Sequence, residues 1–89
     1  MEEQAILEQL LAILEENDIA VRTEPIEGLP AGLCKIKGKM IFFVDKNAQP
    51  ADVAPICART VHETVDIRNI YLKPRVREFL EKNRPTNKP

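Results

Sequence analysis

The sequence predicts an α+β fold in one small domain. Three observations carry that expectation: a leucine repeat of helical period near the start, a hairpin pattern in the middle, and two further helical segments beyond it. The first helix is expected over 3–16, where Leu7, Leu10, Leu11 and Leu14 follow the i, i+3, i+4, i+7 rule. Ile6 and Ile13 widen that stripe on one side. Early glutamates suit the positive end of a helix, and Asn17 is a candidate left-handed stop. Residues 19–24, "IAVRTE", alternate as a strand does, with Ile19, Val21 and Thr23 on one face. "PIEGLPAG" then reads as a loop, because two prolines and two glycines punctuate it.

The hairpin lies in "GLCKIKGKMIFFVD". A two-residue turn at Gly38-Lys39, glycine first, suits a type II′ geometry. That register pairs Ile36 with Ile41 and Cys34 with Phe43 on one face, and sets Lys35 and Lys37 opposite Phe42 and Met40 on the other. Lysines on the earlier strand mark a protected edge; the later strand, apolar on both faces, belongs in the centre. A second helix is expected over 53–65, with Asp52 as N-cap and Pro55 tolerated in the first turn. Its inner face holds Val53, Cys57, Val61 and Thr64, supported by Ile56 and Val65. "RNIYL" at 68–72 reads as a short strand. A last helix starts at Pro74, turns Val76, Phe79 and Leu80 inward, and ends near Asn83. The expected order is α-β-β-β-α-β-α with a mostly antiparallel sheet, a domain over 1–83 and a mobile tail over 84–89.

Composition sets the broad class. Hydrophobic residues at 44% and charged residues at 30% are enough for a packed core and exclude a disordered chain. The apolar run "MIFFV" is far too short to cross a bilayer, so no membrane partner is expected. The acidic start "MEEQ" lacks the basic character of a secretory signal, which predicts a cytoplasmic protein. Cys34 and Cys57 are then two reduced thiols, both expected inside. Charge is uneven: residues 1–27 hold eight acids against Arg22 alone, whereas 28–89 hold six acids and twelve Lys or Arg. Such halves can attract each other or present a basic face to an acidic partner.

The residues with chemical potential are few. "TVHETVD" sets His62 beside Glu63, with Asp66 four positions after the histidine. In an H-E-x-x-H zinc protease, two histidines one turn apart hold the metal and the glutamate takes a proton from its bound water. The stretch "GLCKIKGKMIFFVDKNAQPADVAPICARTVHE" resembles the strand, hairpin and helix leading into the active site of the ImmA/IrrE family of zincin metallopeptidases. The resemblance implies His62 as a first ligand and Glu63 as general base. Asp66 departs from the pattern at the second ligand, and Glu78 and Glu81 are the only carboxylates offered for a third. On that reading the chain is a reduced or inactivated relative. Helical geometry favours a plainer one: His62 lies roughly 140° from Cys57, so it points into water with Asp66 stacked on the same face, and Arg59 pairs with Glu63.

No other pattern competes. Cys34, Cys57 and His62 lack metal-ligand spacing, and Gly28, Gly32 and Gly38 match no phosphate-binding loop, so no cofactor is expected. Lys35, Lys37, Lys39, Arg75 and Arg77 could contact phosphates, but one tyrosine and no tryptophan leave little for base stacking, which argues against nucleic acid. The sequence therefore favours a non-catalytic domain acting through protein association, with a homodimer as one form. Ile6, Ile13, Met40 and Phe42 are the candidate interface, and His62, Glu63 and Asp66 the candidate polar site.

Overall fold

The computed structural model describes residues 2–85. Its elements run α1 (Glu3–Glu16), β1 (Ala20–Glu24), β2 (Ala31–Ile36), β3 (Lys39–Asp45), α2 (Pro50–Thr64), a 3₁₀ turn (Ile67–Asn69) and α3 (Pro74–Lys82). The fold is α+β, with three helices and a three-stranded mixed sheet. The expected tail falls partly within this range, where Arg84 bonds Glu81 at 2.7 and 2.9 Å; residues 86–89 lie outside the described residues.

α1 keeps its predicted limits; Leu7, Leu10 and Leu14 of its stripe are buried and Leu11 is partly so. Its stop differs in detail. Asp18, not Asn17, takes the left-handed conformation, with φ of 66°. The Asp18 and Ile19 amides then return to the Glu15 and Leu14 carbonyls at 3.2 and 3.0 Å, which closes the helix end. The Asn17 side chain donates to the Ile13 carbonyl at 2.8 Å.

The sheet order is β1-β3-β2, so the apolar strand is central and the lysine-bearing strand is an edge, as the sequence implied. β1 pairs with β3 in parallel and β2 pairs with it antiparallel. The chain leaves β1, skips one strand's width through residues 25–30, and returns to fill the vacant slot. Asp45 secures that loop: its Oδ1 accepts from the Ile26 amide at 3.3 Å, and its own amide donates to the Pro30 carbonyl at 2.8 Å.

The hairpin turns one residue earlier than expected. Lys37 and Gly38 both have positive φ, 51° and 81°, which is the type I′ pattern that matches strand twist. Pairing shifts by two, to Ile36 with Lys39, Cys34 with Ile41 and Leu33 with Phe42. A shift of two preserves which residues share a face. What reverses is the face turned inward. Phe42 is 0% exposed, and Met40, Val44, Leu33 and Val21 pack with it on the core. Ile41, Phe43, Cys34 and Ile36 lie on the opposite side. Of the candidate interface, Ile6, Ile13 and Phe42 are core residues and Met40 packs against them. Ile6, Ile13 and Phe42 thus offer little surface to a partner, while Met40 stays partly exposed.

α1 and α2 lie on the Phe42 face, and α3 packs on α1 and α2. α2 begins at Pro50 with Gln49 as N-cap, so Asp52 sits in the first turn rather than before it. Pro55 consequently falls inside the helix; its missing N–H deprives the Ala51 carbonyl of a partner, and exposed Ala51 can turn to water. Ala54, Cys57 and Ala58 are all fully buried; side chains this small let a neighbouring helix approach closely. The expected fourth strand is replaced by the 3₁₀ turn. Asp66 accepts from the Arg68 amide at 3.2 Å and from the Asn69 side chain at 3.0 Å. Those local bonds curl the backbone before it can extend.

Phe42→Ala should cost about 3–5 kcal/mol of stability, the usual range for emptying a core aromatic site. Phe43→Ala should cost about 1 kcal/mol or less. Chemical denaturation of both variants in dilute solution checks this; equal losses would contradict the assigned faces.

Candidate functional site

His62, Glu63 and Asp66 line one open groove between the end of α2 and the end of α3, together with Arg68, Arg77 and Glu81. The sequence thus identified three residues that do come together, but their roles differ from those expected. His62 does not look into water. It is half-buried, and its Nε2 lies 2.6 Å from the Leu80 carbonyl of α3. A carbonyl can only accept, so Nε2 carries the hydrogen and donates. The bond gives a second donor to an oxygen in the last turn of α3, which otherwise receives, among the described residues, only the shared Asn83 amide at 3.2 Å. It makes the imidazole a latch between two helices.

Asp66 lies beyond the end of α2, so it does not stack with His62 one turn along a common helix. Its carboxylate is held by Arg68, with Nε on Oδ1 at 3.0 Å and Nη2 on Oδ2 at 3.3 Å. That guanidinium, aided by the Arg68 amide, holds the Asp66 carboxyl below its usual range. Glu63 is exposed, and the expected Arg59–Glu63 pair is not formed. Nearby Thr64 directs its hydroxyl to the Thr60 carbonyl at 2.8 Å.

Two of the candidate donors, His62 Nε2 and the Asp66 carboxylate, are already engaged. A zinc site of the kind the H-E pair suggests needs Nε2 or Nδ1 lone pairs and carboxylates converging within about 2.0–2.2 Å of one point. Here Nε2 is protonated and engaged, and Asp66 serves as the cap of another turn. Among the described residues, no three His, Cys, Asp or Glu side chains are disposed to share a metal. Nor does any buried side-chain nitrogen or oxygen among them lack a hydrogen-bond partner.

The thiols differ from each other. Cys57 is buried as expected, and burial pushes its thiol up to about 12. Cys34 is exposed, contrary to expectation, because its strand turns that side outward. Around it lies the surface that sequence reasoning missed. A shallow hollow is lined by Ile26, Leu29, Gly32, Cys34 and Phe43, and Ile41 continues the apolar strip along β3. Leu29 is 62% exposed and Ile36 42%. Neither Ile41 nor Phe43 belongs to the core or packs against it. A signal was available in β1, where Arg22 and Glu24 alternate with Val21 and Thr23. Parallel pairing sets Arg22 beside Phe43, and the guanidinium sits 5.9 Å from its ring centroid.

The basic residues do not gather. Register puts Lys35 on the helix side of the sheet and Lys39 on the outer side, while Arg75 and Arg77 belong to α3. No described helix is long and apolar enough to cross a membrane. Comparison with protein-family models, with curated proteins and with solved structures finds no match to this chain.

Two outcomes test these assignments. His62→Ala should lower stability by about 1 kcal/mol, the net value of one hydrogen bond, and zinc should leave the melting temperature of the wild type unchanged; a large zinc-induced rise lost in His62→Ala would overturn the latch. In a Cys34→Ala background, Cys57 should be modified by thiol reagents only on unfolding. Because its folded pKa is raised, its contribution is intact below the unfolded value of about 9. As pH rises from there towards about 12, the unfolded state loses a proton that the folded state keeps. Wild-type stability should then fall relative to Cys57→Ala by about 1.4 kcal/mol per pH unit.

Proposed function

We propose that this chain is a non-catalytic association domain of the cytoplasm that docks a protein partner on the outer face of its sheet. The carrying observation is that apolar face: Ile41 and Phe43 of β3 and Cys34 and Ile36 of β2 share it, and none of them belongs to the core. A half-covered sheet ordinarily carries polar residues on its wet side. An apolar strip rimmed by charge is the signature of an interaction surface. The exposed free thiol of Cys34 suits a reducing compartment.

The metallopeptidase-like alternative draws no support from the donor geometry, since Asp66 is held by Arg68 and no three donor side chains converge among the described residues. Phosphate binding fares no better, because the five candidate cations are spread over both sides of the sheet and a separate helix.

Affinity purification of the full chain from its source cells tests the proposal. Partners, an untagged second copy included, should be retained by the wild type and lost with Phe43→Glu. Retention of the same partners by both, or recovery of the chain alone in both cases, would refute it.

A further inference from the structure

We draw no further inference here: the strongest candidate, the apolar outer face of the sheet with its hollow at Gly32, Cys34 and Phe43, already carries the association reading above, and nothing in the structure shows what covers it.

Discussion

The strand 39–45 turns alternate side chains to opposite sides of the sheet, and its middle is apolar on both. Period two allows no compromise: if Phe42 enters the core, Phe43 must leave it. The structure resolves the choice by placing α1 and α2 on the Phe42 side. Everything else follows from that placement. The same parity sends Leu33 and Val21 inward, and leaves Cys34, Ile36 and Arg22 outside.

Phe42 needs a deep helical layer above it. Buried Ala54, Cys57 and Ala58 on α2 leave room for the leucines of α1, and α3 closes the far side with Val76 and Leu80. The His62 bond to the Leu80 carbonyl helps hold that third helix in place. The histidine of the H-E pair thereby links two helices of the scaffold. Its carboxylate neighbour has a similar fate, since Asp66 shapes the turn that delivers the chain to α3. The exposed apolar surface lies on the other side of the sheet.

Much of the fold was legible in local pattern. The stripe of α1, the hairpin, the central position of the apolar strand and the proline-started α3 all rest on short-range rules, and each stands. Three features depended on information that the pattern lacks. Glycine at 38 fits either place in a two-residue turn, and Lys37 adopts a positive φ that its residue type does not advertise. Residues 68–72 have strand-like composition, yet one aspartate side chain outcompetes extension. The inward face of β3 could not be chosen from β3 itself, because Met40, Phe42 and Val44 balance Ile41 and Phe43. β1 held the answer in its charged residues, but only the parallel register against β3 connects Arg22 to Phe43. The candidate polar trio was correctly gathered and its chemistry was misjudged, since neither the end of α2 nor the approach of α3 is visible in "TVHETVD". Of the candidate interface, Ile6, Ile13 and Phe42 are core residues for the same reason as the face.

The orientation of β3 is the point on which this account stands, and nuclear Overhauser contacts from the two phenylalanine rings measure it directly, in monomer or assembly alike. Phe42 ring protons should contact methyl groups of α1 and α2, while Phe43 should contact Ile26 and Leu29. Contacts from Phe43 to the helical methyls, with Phe42 free of them, would contradict it.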